Sequence, residues 1–348
     1  YSSSTLVLCE ICFLIWMEKM PSTRVCCRLR MSSAADHSSV YAQLTLPADQ
    51  LSRIVNMLEN FSSPDNSLRK QAEDELTQYW VNQYPSHLVV ALCQLCSHQG
   101  NPLLASMSCV LLRRLCFKPF VVPSIPREKG ILWKTFDANT KDCIKDILLQ
   151  VFLTQSLQAH VKNKLADVIA EIARTSSGNW PALLDAILTG TASSGTQSVE
   201  HSAACLRIIY SYPLIVKPFS ESVLKGYFCG LLNENHPDVL LNETIKAFVA
   251  VVISASQNTS IRNSLASLMN HVLAIITKMI SSNSGDLLLE SLSSLAELAD
   301  EYPKFFKDFL APLTNILVMI VLNERDLIED QARHVAVELY VTLCENMP

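Results

Sequence analysis

Cys93-Gln94-Leu95-Cys96, with His98 close behind, has the spacing at which two thiolates grip a zinc ion. A closed structural site needs four ligands in a tetrahedron, and neither a second Cys-x-x-Cys nor a closely spaced His pair stands near this one. The two cysteines are also three residues apart inside an apolar segment. On a helix both then turn toward the same inward face, so core packing is the expectation. Cys9 and Cys12 repeat the spacing in a stretch set aside below. The 8 histidines are scattered, and the sequence contains no His-Glu-x-x-His, no nucleophile elbow and no glycine-rich phosphate loop. Ser, His and Asp abound, but a triad is defined by geometry, which spacing alone does not supply. The residues therefore nominate no catalytic centre, no metal and no cofactor. A chain that works by binding is expected.

The charged residues offer more. Arg113 and Arg114 close the segment 103–117, whose apolar side is read as Leu104, Met107, Val110 and Leu111. Two cations in a last turn offset the helix dipole, and they are equally placed to meet carboxylates of a partner. Lys70, Glu73 and Asp74 lie off the Leu68, Ala72, Leu76 stripe and are expected to be exposed. Asp167 and Glu171, four residues apart, form an acidic strip on one helix face, beside the apolar Leu165, Val168, Ile169 and Ile172. Trp180-Pro181 reads as a helix start, with proline in the first turn and the indole covering a junction.

Helices must position these groups, because the composition discourages anything else. Only 8 of 348 residues are glycine, against an ordinary share of about 7%. Hairpins, bulges and nucleotide-binding turns all draw on glycine, so the expected class is all-α. The formal charge of −5 and pI ≈ 5.9 give no basic excess for direct nucleic-acid binding. Hydrophobic residues make up 49% and mean hydropathy is +0.22, which excludes disorder over the whole length. The 12 cysteines are dilute and sit mostly in apolar runs, as free thiols do in a reducing compartment.

Residues 1–30 begin without methionine, and their apolar run 6–17 is interrupted by Glu10 and followed, not preceded, by Arg24, Arg28 and Arg30. That is neither a secretory signal nor a membrane span, and no membrane insertion is expected. The stretch reads as a non-native upstream leader, with 31–47 a disordered amino terminus. From residue 48 apolar positions recur at helical spacing. The paired segments are 48–60 with 67–83, 87–99 with 103–117, 140–153 with 158–174, 180–188 with 197–212, 217–232 with 239–254, 260–280 with 286–301, and 303–322 with 327–346. About seven hairpins at a period near 40 match HEAT or armadillo units and exceed the tetratricopeptide length. One pair cannot bury its stripe alone, whereas a stack can, so a right-handed α-solenoid over 48–348 is expected. Its last helix has no polar capping repeat, and the array is expected to continue beyond it.

Several segments resemble the importin-β (karyopherin-β) superfamily. Ser63-Pro64-Asp65-Asn66-Ser67-Leu68-Arg69-Lys70-Gln71-Ala72-Glu73 is similar to its opening repeat, and Val110-Leu111-Leu112-Arg113-Arg114-Leu115 to the second helix of repeat two. Ala170-Glu171-Ile172-Ala173-Arg174 followed by Asn179-Trp180-Pro181 resembles its third-to-fourth repeat junction. Leu295-Ala296-Glu297-Leu298-Ala299-Asp300 with Pro303-Lys304 resembles the beta-3 branch. Tyr79-Trp80-Val81-Asn82-Gln83-Tyr84 departs from the pattern in being more aromatic. The resemblance implies the amino-terminal part of a nuclear import receptor, with an importin-β amino-terminal domain over about 71–138. It implies Ran-GTP on the first repeats and cargo with basic localisation signals further along. It also implies phenylalanine-glycine repeats of the nuclear pore on the outer face, and shuttling between cytoplasm and nucleus. The expected Ran contacts are Lys70, Glu73, Asp74, Arg113, Arg114, Asp167 and Glu171. A HEAT scaffold or regulatory subunit of a stable phosphatase, kinase or translation complex stands as the alternative.

Overall fold

Several helices here start where a side chain or a proline deals with the free amides of the first turn. In the computed structural model Asp65, Asn101, Asp137 and Asn258 each accept from a backbone amide two or three residues on, at 2.8–3.2 Å. Pro85, Pro102 and Pro181 occupy first helical positions, where no amide is missed. The structure describes residues 40–118, 131–154, 157–191, 198–282, 284–323, 328 and 330–347. The stretch 1–30, read above as a leader, lies outside them. Among the described residues every regular element is helical.

The chain divides into two units, up to Leu183 and from Leu184. The first holds α1 (Ala48–Phe61), α2 (Asn66–Glu75), a π-helical turn (Leu76–Val81), α3 (Pro85–Leu95), α4 (Pro102–Phe117), the short α5 (Leu132–Thr135), α6 (Ala138–Leu153) and α7 (Ala159–Thr175). Antiparallel neighbours α3 and α4 pack together, as do α6 and α7; α3 also lies against α6 and α4 against α7. Stacking like on like leaves Leu92, Leu112, Leu148, Leu165 and Ile169 essentially without solvent contact. Each such side chain contributes about 1.5–3 kcal/mol through burial. Cys93 and Cys96 are both fully buried, Cys96 with its sulfur 3.4 Å from that of Cys109, so they pack as expected. Burial pushes the Cys93 and Cys96 thiols well above their ordinary range and that of Cys116 up to about 12.

α8 (Pro181–Gly190) spans the division. The second unit continues with α9 (Val199–Ser211), α10 (Glu221–Leu231), α11 (Asp238–Ser254), α12 (Thr259–Ala266), α13 (Met269–Ser281), α14 (Gly285–Glu301), α15 (Leu310–Val321) and α16 (Asp330–Asn346), with 3₁₀ turns at Pro213–Val216 and Pro303–Phe309. α9, α11, α14 and α16 pack in one continuous row; α10 lies against α12, and α13 against α15. The row's helices begin 39 to 47 residues apart, the HEAT spacing.

Several details correct the sequence reading. Segment 67–83 is not one α-helix: it widens into the π turn, which seats Trp80 in the core with Tyr79 edge-on to it at 5.1 Å. Segment 260–280 breaks at Ser267-Leu268, where Leu268 N donates to Leu265 O in a tighter turn and its side chain is buried. Segment 303–322 opens as a 3₁₀ turn, because Pro312 has no amide to extend an α-helix backward and sits in the first turn of α15. Val110 and Leu68, placed on buried stripes, are 45% and 38% exposed. The buried face of α4 runs instead through Leu104, Ser108, Leu111, Leu112 and Leu115. The disorder expected over 31–47 does not hold for residues 40–47, and residues 31–39 lie outside the described residues. Residues 40–44 are helical, Gln94 Nε2 donates to the Tyr41 hydroxyl at 2.9 Å, and Leu46 is buried.

Two glycines are required by geometry. α7 ends in a turn with Ser177 and Gly178 at φ 52° and 75°, and Gly178 N reaches back to Ala173 O at 2.9 Å. At the end of α8, a Cβ on Gly190 would stand 2.7 Å from Cys205 Sγ and 2.8 Å from His201 Nε2.

Candidate partner-binding surface

The packing of α4 on α7 brings three of the expected site residues together. Arg113 Nη2 donates to Glu171 Oε1 at 3.4 Å, and its Nη1 stands 3.8 Å from Asp167 Oδ2. Residues 167 and 171 share a helix face one turn apart, so a single guanidinium from the neighbouring helix spans both. Glu171 is also held by Arg174, at 2.5 Å across one turn of α7. The arginines are about half exposed (44% and 48%) and the carboxylates about one-fifth (18% and 21%). The strip is therefore not bare acid: its carboxylates lie under two arginine heads. Exposed ion pairs contribute about 0–1 kcal/mol, and the long Arg113 contacts belong at the low end. A partner that offers its own charges meets groups that can change partners at little cost.

Nearer the start of both helices, Lys164 Nζ donates to Ser106 Oγ, a second polar link between α7 and α4. Arg114 is exposed on α4 beside Arg113. Lys70, Glu73 and Asp74 are exposed on α2 as expected. They are not drawn into this cluster, because α2 packs on α1 and it is α1 that lies against α4. Arg174 was missed as a site residue, although its position three after Glu171 is the signal that finds it.

The second unit carries a denser network that sequence reasoning missed. Lys246 on α11 bonds Glu243 at 2.9 Å and Glu290 on α14 at 3.0 Å, and lies 5.4 Å from the Tyr210 ring centre. Asn242 Nδ2 donates to the same Glu290 oxygen at 2.8 Å, while Ser291 Oγ donates to Asn242 Oδ1 at 2.8 Å. Partial burial works against the charge on Glu290, yet the Asn242 amide and the Lys246 ammonium outweigh it and lower its pKa. Lys246, though half-buried, is raised by its two carboxylates. Below it, Asp238 accepts from the Ser282 and Ser284 hydroxyls at 2.6 Å each and pairs with Lys278 at 2.9 Å. Burial opposes this, and the donors still hold its carboxyl down to about 2. The Glu243-to-Lys246 spacing was visible in the sequence; the bonds from α11 to α14 were not.

Among the described residues no group of three or more His, Cys, Asp or Glu side chains is placed to hold a metal ion. No single described helix is long and apolar enough to cross a membrane. The bent pair α12–α13, at 47°, passes by length and composition, and its apolar residues Leu265, Met269, Val272 and Ile276 are core.

Paired helices stacked like on like, with charges set along the second helix of each pair, define an α-helical repeat solenoid, a class that works through its surfaces. A family model described as "IPO5-like, TPR repeats" matches residues 157–316. Importin subunit beta-3 of Saccharomyces cerevisiae is 27% identical over 311 residues, which is 87% of this chain and 27% of that protein. The crystal structure of Kap121p superposes with a TM-score of 0.73 at 23% identity, and that of Kap121p bound to RanGTP with 0.69 at 26%; each covers 87% of this chain and 27% of the other. The chain is thus similar in sequence and in fold to importin-β-type transport receptors, and it spans about a quarter of the length of the relatives it matches.

Proposed function

We propose that this chain is the Ran-GTP-contacting part of a nuclear import receptor. The receptor takes up cargo with basic localisation signals in the cytoplasm, passes the phenylalanine-glycine repeats of the pore, and gives up its cargo when Ran-GTP binds in the nucleus. The observation that carries the reading is the likeness, over 87% of this chain, to Kap121p as found with RanGTP. The relative named importin subunit beta-3 supports transport in place of catalysis. Release of one ligand by another needs two reciprocally coupled sites on one body. A stack whose units touch mainly their neighbours supplies that coupling through small changes of curvature. The Ran contacts are proposed to centre on Arg113, Asp167 and Glu171 with Arg114, and to extend to Lys70, Glu73 and Asp74 on α2.

The test is capture of the purified chain on immobilised Ran loaded with a non-hydrolysable GTP analogue or with GDP. Retention on the GTP form alone is expected. Equal retention on both forms, or on neither, overturns the proposal.

A further inference from the structure

Ser63-Pro64 is the single Ser-Pro or Thr-Pro step in all 348 residues. It falls in the turn between α1 and α2, where residues 62, 64, 65 and 66 are exposed and Ser63 is half-buried. Proline at the position after a serine removes an amide and fixes φ, so the chain leaves the hydroxyl in an extended or turn form. Kinases that select this step read that missing amide and the apolar ring.

The surroundings are set for an added phosphate. Asp65 N already donates to Ser63 Oγ at 3.1 Å. Arg69, one turn into α2, folds back over the turn: its Nη1 donates to the Ser63 carbonyl at 2.5 Å, and its Nη2 donates to Asn66 Oδ1. A guanidinium fork held against the backbone of the acceptor serine is the partner that phosphate oxygens bond most strongly. The nearest opposing charge is Asp65, whose Oδ1 is turned to Ser67 N and Ser67 Oγ at 2.8 Å each. Those bonds hold its pKa low, so it stays ionised and directed into α2.

We propose that Ser63 is a phosphoacceptor for a proline-directed protein kinase and that Arg69 receives the phosphate. Ser63 Oγ attacks the γ-phosphorus of ATP; the Oγ–P bond forms as the bond to the β–γ bridging oxygen breaks, ADP leaves, and the hydroxyl proton passes to the kinase's base. The product carries roughly −1.5 to −2 charge and three acceptor oxygens at the start of α2. It ties the α1–α2 turn to Arg69 and changes the charge of the α2 surface without unfolding it. The assignment does not rest on what the α4–α7 surface binds.

The experiment treats the folded chain with a recombinant cyclin-dependent kinase and Mg-ATP and maps the phosphate by peptide mass spectrometry. Phosphorylation at Ser63 is expected, and its loss in both Ser63→Ala and Pro64→Ala. A folded chain left unmodified at Ser63, while the same kinase modifies a synthetic peptide spanning 58–70, overturns the assignment. Melting then tests Arg69: the phosphorylated chain should have the higher Tm, and Arg69→Gln should remove the gain. Arg69→Lys, which keeps charge without the fork, serves if the glutamine variant folds poorly, and should retain only part of the gain. A phosphate that lowers the Tm, or shifts it equally in the Arg69 variants, overturns the role of that residue.

Discussion

Arg113 on α4 and Glu171 on α7, 58 positions apart in sequence, meet at 3.4 Å because α4 and α7 lie side by side in the stack. The pairing turns two features that were separate in sequence, a basic helix end and an acidic strip, into one surface. It also gives that surface no strong net sign. What binds there must match a pattern of alternating charge.

The core under that surface makes the first prediction. Leu112 is 1% exposed and Val110 45%, although they are two residues apart on α4. Leu112→Ala should cost about 2–5 kcal/mol, as a buried side chain lost between packed helices does. Val110→Ala should change stability by less than about 0.5 kcal/mol. Chemical denaturation of both variants checks the pair, and similar losses would show the helix face to be misassigned.

That contrast marks where sequence reading reached and where it stopped. Paired helices and their spacing were legible, because periodicity is local. The rotation of α4 was not, since alternate apolar residues such as Leu111, Leu112 and Val110 fit a stripe equally well until α7 and α3 choose the face. The π turn at 76–81 was hidden for the same reason: burial of Trp80 sets it. Arg113, Asp167 and Glu171 stood together in the sequence only as what the resemblance implied, because no local pattern joins α4 to α7. The failure of α2 to join them came from α1, which takes the place beside α4.

Glycine supplies a second prediction, with opposite signs at two sites. Gly190→Ala puts a methyl group against Cys205 Sγ and His201 Nε2, both held in the core, and should destabilise by about 1–3 kcal/mol. Gly226→Ala, inside α10 with nothing within 4 Å of the new carbon, should stabilise by about 0.4–1 kcal/mol through helix propensity. Thermal melts of the two variants should move in opposite directions.

Asp238 governs a third, in acid. Its folded pKa of about 2 lies below the usual 3.8, so its contribution is present in full above the unfolded value and is lost as pH falls through the range between them. Glu290, lowered by Asn242 and Lys246, acts in the same direction. Stability measured from pH 5 to pH 2 should therefore decline, and Asp238→Asn should flatten that decline while lowering stability at pH 7. A variant whose acid profile matched the parent's would remove Asp238 from the account.

The last prediction concerns the surface itself. Asp167→Lys with Glu171→Lys places two ammonium groups beside Arg113 and Arg174, in place of the carboxylates that now bridge them. The apolar residues of α7 that hold it in the stack, Leu165, Val168, Ile169 and Ile172, are at most 1% exposed and untouched. Since exposed pairs contribute about 0–1 kcal/mol each, the fold should survive with a small drop in stability. An interface charge turned repulsive is a larger matter and costs several kcal/mol. Titration against Ran-GTP should show at least a tenfold loss of affinity, about 1.4 kcal/mol. Adding Arg113→Glu restores opposite charges across α4 and α7, so it should recover stability; affinity should stay low, because the pattern offered to the partner is then inverted. A double-lysine variant that folds and binds as tightly as the parent would take Asp167 and Glu171 out of the contact.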